Sequence, residues 1–375
     1  PGHRFRSMHD FLIIGGGVIG LTCALRLAEA GASVTLLERG EFGRESSWAG
    51  GGILAPLYPW RYAEAINALA LRGRQLYDQW LPRLHRQSGI DPELHRCGLL
   101  LLDSDCIAEA SDWARQWRHS WVRLDGAALT THFPTLSPRT GEALWLPEQA
   151  SLRNPRLLQA LLAVLADMPR VRLVPQCTVS GLRTVGGRVE AVLGSQGEWC
   201  ADQVIVTAGA WSSSLLPTPP TLPVTPVRGQ MLLYQGNGLL STMLLAAGHY
   251  LIPRRDGLIL VGSTVEQVGF DCAVTAAART ELMAVAGQLL PALAEREPVA
   301  HWAGLRPGAP QGTPFIGRWP GIDNLHLNCG HFRNGLVMAP AAAELLVDLL
   351  LGQPPRVDAA AFDPARLLAA AAIRD

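Results

Sequence analysis

The chain has 375 residues, and its lysine plus arginine (32) balances its aspartate plus glutamate (32). Hydrophobic residues make up 48% and charged residues 17%, which supplies a large core and excludes a disordered chain. The zero balance argues against a nucleic-acid scaffold, and no apolar stretch reaches the roughly 20 residues of a membrane span. The length predicts two domains, sequential or interleaved. The seven cysteines (23, 97, 106, 177, 200, 272 and 329) are widely spaced with no C-x-x-C pair. They read as reduced, mostly buried thiols of a cytoplasmic protein without a metal site. Residues 1–7 read as a vector remnant ahead of a native Met8.

Asp10–Ile14 is an apolar run ending in glycines, as a buried strand should be. Leu21, Ala24, Leu25 and Ala28 then repeat at helical spacing, with Gly31 as the stop, and Ser33–Leu37 is a second strand. Further on, the pattern predicts helices over 63–87, 110–117 and 154–166, the last with Pro155 in its first turn. Strands are predicted over 98–103, 171–175, 188–193 and 198–206. The proline-rich stretch 215–226 reads as a connection between domains. Strands follow near 229–234, 250–253 and 258–262, then a helix over 276–289, strands near 301–305 and 325–327, and a last helix from about Gly335 to about Leu351. The order predicts a discontinuous α/β plus α+β architecture.

Gly15-Gly16-Gly17-Val18-Ile19-Gly20 matches G-x-G-x-x-G between the first strand and the first helix. Gly15 allows the tight turn, Gly17 lets backbone approach a pyrophosphate, and Gly20 lets helix and strand pack closely. The helix N-terminus offers N–H groups and a positive dipole end. Glu38 ends the second strand, where a carboxylate can accept ribose hydroxyls. Two later loops, 44–52 and 330–335, are glycine-bounded. The first suits backbone lying along a longer cofactor, and the second feeds a helix N-terminus able to stabilise negative charge.

Taken together, these motifs resemble the glycine oxidases of the thiamine-pathway type, within the D-amino acid oxidase family of flavoproteins. The resemblance rests on the Gly15–Gly20 fingerprint with Glu38 and on Ser46-Ser47-Trp48-Ala49-Gly50-Gly51. It extends through Val206–Trp211, Pro226–Gln230, Trp302–Pro307, Pro314–Arg318 and Gly330–Gly335, in family order. It implies a Rossmann-type FAD-binding domain over 8–80, 150–220 and 300–365, with an interleaved antiparallel-sheet substrate domain over 81–149 and 221–299. The FAD contacts implied are Gly15, Gly17, Val18, Ile19, Gly20, Glu38, Arg39, Ser46, Ser47, Ala49, Gly50, Gly51, Gly209, Arg333, Asn334, Gly335 and Leu336. Related sarcosine oxidases carry flavin on a cysteine shortly after the segment matching Trp302–Arg306. Residues 301–328 contain no cysteine, which implies non-covalent FAD.

A small amino acid presents a carboxylate, an amine and an α-hydrogen, and its oxidation passes a hydride to the flavin. Arginine is the expected anchor, since its planar fork matches a carboxylate. The resemblance places Arg306 there, with Tyr250 donating to the same carboxylate and Arg333 near substrate and flavin. His249 should face away from Tyr250 by strand alternation. Leu57–Trp60 reads equally as a lid or as a packed aromatic loop.

The implied activity is oxidation of glycine, small amines and D-amino acids to imine or 2-oxo acid, ammonia and hydrogen peroxide, with oxygen as acceptor. Supply of the imine to thiazole synthesis for thiamine, and a homo-oligomeric state, are also implied. A quinone-linked D-amino acid dehydrogenase is the alternative. A tRNA-modifying flavoenzyme is disfavoured by the zero net charge, and a non-catalytic flavin subunit by the retained arginines and tyrosine.

Overall fold

The computed structural model describes residues 10–138 and 141–372. The expected start at Met8 lies outside the described residues.

The strand Asp10–Ile14 sorts two cores by its alternation. Phe11 and Ile13 pack among helices, with Leu21 and Leu25 of the helix Val18–Glu29. Leu12 and Ile14 face the opposite layer, with Val204, Val206 and Leu327. The strand sits inside a six-stranded sheet, in the order Phe315–Arg318, Leu325–Cys329, Gln203–Val206, Asp10–Ile14, Ser33–Leu37, Val171–Val174. All neighbours are parallel except the first pair. Such a sheet needs cover on both faces. Helices Val18–Glu29, Glu64–Ser88, Asn154–Ala166 and Gly335–Leu350 supply one side. A three-stranded sheet, Val179–Val185, Arg188–Gly194 and Gly197–Trp199, supplies the other through Val189 and Val192. Glu64–Ser88 crosses Gly335–Leu350 at Gly73, where a Cβ would stand 2.0 Å from the Val337 carbonyl oxygen.

A second sheet has eight strands, in the order Ala300–Gly308, Thr225–Gln235, Leu258–Gly262, His249–Pro253, Met243–Ala246, Leu99–Leu101, Ala143–Leu146, Val122–Leu124. Its pairs are antiparallel but for Met243–Ala246 beside Leu99–Leu101. Leu232, Tyr234 and Leu251 point to the helix Ala276–Leu289, meeting Leu282 and Ala286. Met231, Tyr250 and Ile252 point the other way. That second face, beside the C-terminal ends of the parallel strands, forms one wall of the site.

Several expected elements change shape. The expected single strand over 198–206 is two, because the chain leaves the three-stranded sheet after Trp199 and enters the parallel sheet at Gln203. The expected connection 215–226 ends at Thr225, where the long strand Thr225–Gln235 already begins. Residues 300–308, expected with the FAD-binding unit, pair along Thr225–Gln235 in the eight-stranded sheet. Ser46–Ala49, read within the loop 44–52, is a helical turn. No helix among the described residues is long and apolar enough to cross a membrane.

Candidate active site

One continuous cavity runs from the first strand–helix turn to the eight-stranded sheet. At the first end, Gly15 adopts φ +110, and a Cβ there would lie 2.5 Å from the Thr207 carbonyl oxygen. Thr207 holds this turn from below, donating its hydroxyl to the Gly15 carbonyl at 2.8 Å. Gly20 does not line the cavity. Its role is contact, since a Cβ would meet the Gly15 carbonyl oxygen at 1.9 Å. The Ser47 hydroxyl accepts the Val18 N–H at 2.9 Å, so the second loop is tied to the helix start.

Glu38 is buried, and its two oxygens accept the N–H groups of Gly16 (2.8 Å) and Gly40 (2.9 Å). Each oxygen keeps a lone pair for a further donor. Arg39 lies over the Trp211 ring at 3.6 Å and pairs with Glu45 at 2.6 Å. Gly209, φ +55, lines the same end. Toward the middle, Ala49, Gly50 and Gly51 form the floor. A Cβ on Gly50 would reach Asn154 Nδ2 at 2.9 Å. Gly335 and Leu336 bring the start of the last long helix to the cavity, with Arg333 just before it. Asn334 is buried beneath, outside the lining.

These features fit a bound dinucleotide. Several glycines lie where a Cβ would collide with the backbone or the walls of the cradle. Two polar atoms of lining residues, Asn154 Oδ1 and His331 Nδ1, are buried without a partner. The His331 tautomer follows from its neighbours. Asn328 Nδ2 donates to the Ala342 carbonyl at 3.0 Å, so Asn328 Oδ1, 2.8 Å from His331 Nε2, must be the acceptor. Nε2 therefore carries the proton, burial pushes the ring's pKa down to about 3, and Nδ1 is left as an acceptor.

At the other end stand Tyr250, Arg306 and Arg333, all in the lining. Arg306 lies flat on Gly229, where a Cβ would come within 2.2 Å of both terminal nitrogens. It donates to Ser263 Oγ at 2.7 Å and to the Thr264 carbonyl at 3.2 Å. No carboxylate among the described residues pairs with it. Burial pulls its pKa below the usual range; the Tyr250 interaction opposes this and the Arg333 charge adds to it. The Tyr250 hydroxyl donates to Met231 Sδ at 3.4 Å. Its ring presses on two glycines: a Cβ on Gly51 would lie 3.0 Å, and one on Gly262 2.6 Å, from Cε2. Arg333 reaches the Gly248 carbonyl at 3.5 Å, the limit of a hydrogen bond. His249 points away, its ring bonded to the Ala247 carbonyl and to Glu281.

The aromatic segment over 57–60 is a packed wall. Tyr58 is 4% exposed, donates to Asp103 Oδ2 at 2.6 Å and accepts the Gly248 N–H at 2.8 Å. Asp103 also holds the Ala247 N–H at 2.7 Å.

The sequence reading missed Gly229, Met231, Ser263, Thr264 and Asn154. Gly229 and Met231 had a readable signal, two residues apart on one strand face. Ser263, Thr264 and Asn154 had none, because the folding of distant segments sets their contacts.

The sequence model of the family described as "FAD dependent oxidoreductase" matches residues 10–349. The chain is 48% identical to a glycine oxidase of Pseudomonas putida, over 94% of this chain and 97% of the relative. It is 35% identical to a bifunctional protein ThiO/ThiG of Synechocystis, over 97% of this chain and 55% of that relative. The crystal structure of glycine oxidase from Geobacillus kaustophilus superposes with a TM-score of 0.89 at 27% identity, covering 96% of this chain and 99% of that one. A family match across nearly the whole chain, laid on a cradle shaped for a dinucleotide, establishes that this protein belongs to the FAD-dependent oxidoreductases of the D-amino acid oxidase type.

Proposed function

We propose that the chain oxidises glycine, small amines such as sarcosine and small D-amino acids. The carrying observation is Arg306, a guanidinium laid on Gly229 beside the Tyr250 hydroxyl with no carboxylate among the described residues paired to it. That arrangement suits a substrate carboxylate received by a charge-assisted fork. Relatives named glycine oxidase support the choice of substrate.

When bound, FAD supplies the two-electron acceptor for the hydride of the substrate's α-carbon. The chain's contribution is placement. Arg306 and Tyr250 hold the carboxylate, and Arg333 adds positive potential on the same side. Gly51 gives the passage its width, and the 57–60 wall shields it from bulk water. The amine must be neutral to release its electron pair into the C–N bond as hydride leaves. The imine then adds water and yields ammonia and a 2-oxo acid.

In this reading Gly15, Gly17, Val18, Ile19, Ser46 and Ser47 hold the pyrophosphate and its flank, and Glu38 and Arg39 the adenosine end. Ala49, Gly50, Gly51, Gly209, Gly335 and Leu336 line the remainder, with Gly20 and Asn334 supporting from behind. The division into 8–80, 150–220 and 300–365 for FAD, and 81–149 and 221–299 for substrate, belongs to the same reading, with strand 300–308 shared between the units. So do oxygen as acceptor, a cytoplasmic setting, a homo-oligomer and delivery of the imine to thiazole synthesis. The ThiO/ThiG relatives, in which a chain like this one is joined to a second protein, support the last.

The FAD is held without a covalent bond. Residues 301–328 hold no cysteine, and burial pushes the Cys329 thiol up to about 12, leaving it protonated and inert. Acid precipitation should release all yellow colour into the supernatant; colour retained on the precipitate contradicts this.

The deciding experiment is oxygen consumption with glycine, sarcosine, D-alanine, L-alanine and D-phenylalanine at matched concentrations. The first three should be oxidised and L-alanine should not. A side chain fixes which hydrogen faces the flavin while the carboxylate stays on Arg306. Turnover of L-alanine overturns the stereochemistry. A preference for D-phenylalanine reassigns the chain to general D-amino acid oxidation. Reduction of a quinone with no oxygen uptake would make it a dehydrogenase.

A further inference from the structure

Met231 stands beside Tyr250, in the part of the cavity assigned above to the substrate. It lines the cavity, and its Sδ accepts the Tyr250 hydroxyl proton at 3.4 Å. The backbone at Gly262 crowds the sulfur, since a Cβ there would lie 2.6 Å away. The residue is only 2% exposed, so its route to solvent runs through the cavity. Met168 and Met283 are half-buried away from the cavity, while Met243, in the same apolar cluster as Met231, and Met338 are fully buried outside its lining. Thioethers are oxidised to sulfoxides by peroxide. Peroxide made inside the cavity and peroxide arriving from bulk should therefore strike different methionines.

We propose that Met231 is a self-modification site, oxidised by the hydrogen peroxide the enzyme itself produces. The inference rests on the reading that oxygen is the acceptor. The thioether sulfur attacks one peroxide oxygen, the O–O bond breaks and an S–O bond forms. The departing oxygen takes both protons and leaves as water. Sulfur loses two electrons and peroxide gains them. The sulfoxide oxygen is a much stronger acceptor than the thioether, so it keeps the Tyr250 hydroxyl from the substrate carboxylate. The group is also larger and polar, set between Tyr250 and Gly262. Losing one neutral hydrogen bond to substrate raises KM about two- to tenfold. Turnover thus lowers the enzyme's affinity for its own substrate, and reduction of the sulfoxide restores it.

The test uses the FAD-loaded enzyme turning over glycine in air, with and without catalase, followed by peptide mass spectrometry. The catalase-free arm also measures peroxide. The expected result is Met231 sulfoxide growing with turnover number even with catalase present, ahead of Met168 and Met283. Peroxide added to resting enzyme should give the reverse order. KM should rise with the sulfoxide fraction and fall again after treatment with methionine sulfoxide reductase on partly unfolded and refolded enzyme. Met231→Leu, which keeps the volume, should hold its own starting KM through the same number of turnovers. Peroxide production with Met231 unmodified, or with Met168 and Met283 oxidised first, overturns the inference alone. Absence of peroxide overturns the oxygen reading and the inference with it.

Discussion

Arg306 depends on a residue that carries no side chain. A Cβ on Gly229 would meet the terminal nitrogens at 2.2 Å, and those are the movable end of a flexible side chain. Gly229→Ala should therefore swing the guanidinium aside at small cost to folding. Arg306→Ala removes charge-assisted hydrogen bonds worth about 1.5–3 kcal/mol each, so KM should rise at least about tenfold. Gly229→Ala should approach that KM while its melting temperature stays near the parent's. Steady-state kinetics beside a thermal melt checks both, and a Gly229→Ala enzyme with unchanged KM would free Arg306 from this dependence. Tyr250→Phe should be milder, since it removes one neutral donor and leaves the charge. Tyr250, Arg306 and Arg333 were singled out by the family resemblance of the segments around them, and all three line one end of the cavity. Their supports were not. Ser263 and Thr264 reach Arg306 across 42 or 43 residues of chain, and nothing local in their own segment announces it.

Helices were legible where a local signal and the apolar face agree. Pro155 at a helix start gave 154–166 its observed bounds, and 276–289 was equally readable. Of the short strands, Leu99–Leu101 and Val171–Val174 were legible, while Val122–Leu124, Ala143–Leu146 and Met243–Ala246 were not, because three or four residues give little period to count. One miss had a signal. Gly186 and Gly187 both adopt left-handed φ, 56 and 75, the two-residue turn that joins Val179–Val185 to Arg188–Gly194. The strand Val179–Val185 escaped notice because its outer face is exposed and its alternation weak. At this scale the close crossing of Glu64–Ser88 over Gly335–Leu350 carries a prediction. At Gly73 a Cβ would meet the Val337 carbonyl oxygen at 2.0 Å, and backbone cannot rotate away as a side chain can. Gly73→Ala should cost about 1–3 kcal/mol as overpacking does, a fall of several degrees in melting temperature. The second helix also starts at the cavity, so the dissociation constant for FAD should rise too. An unshifted melt and unchanged FAD affinity would show that the helices part without cost.

The whole molecule sets its long cavity against two sheets, a mixed architecture that the order of elements foretold, although the pairing of 300–308 with 225–235 was not readable. Burial has a consequence for pH. His331 is held down to about 3 and His326 to about 4, both chiefly by burial, against an ordinary 6.5. Both are neutral in the fold, whereas the unfolded chain takes up protons near 6.5. Their contribution is complete above that value and is lost as pH falls toward 4, at up to about 1.4 kcal/mol per pH unit for each ring. Urea midpoints at about pH 7.5 and about pH 5 should differ accordingly, lower in acid. His326→Gln should remove part of the slope. Equal midpoints would mean that the rings protonate within the fold.

The slot around Tyr250 has a last consequence, in time rather than in space. A phenol ring ordinarily flips about its axis whenever its neighbours open a little. Here one edge rests against the Cβ-less backbone of Gly51 and Gly262, on two different segments of the chain. A flip must sweep that edge through main chain, which yields far less than side chains do. The ring should be frozen on the millisecond scale, with its two ε protons giving separate resonances; a single averaged signal would show the slot breathing. A frozen ring fixes where the hydroxyl oxygen sits and leaves its proton only the spin about the C–O bond.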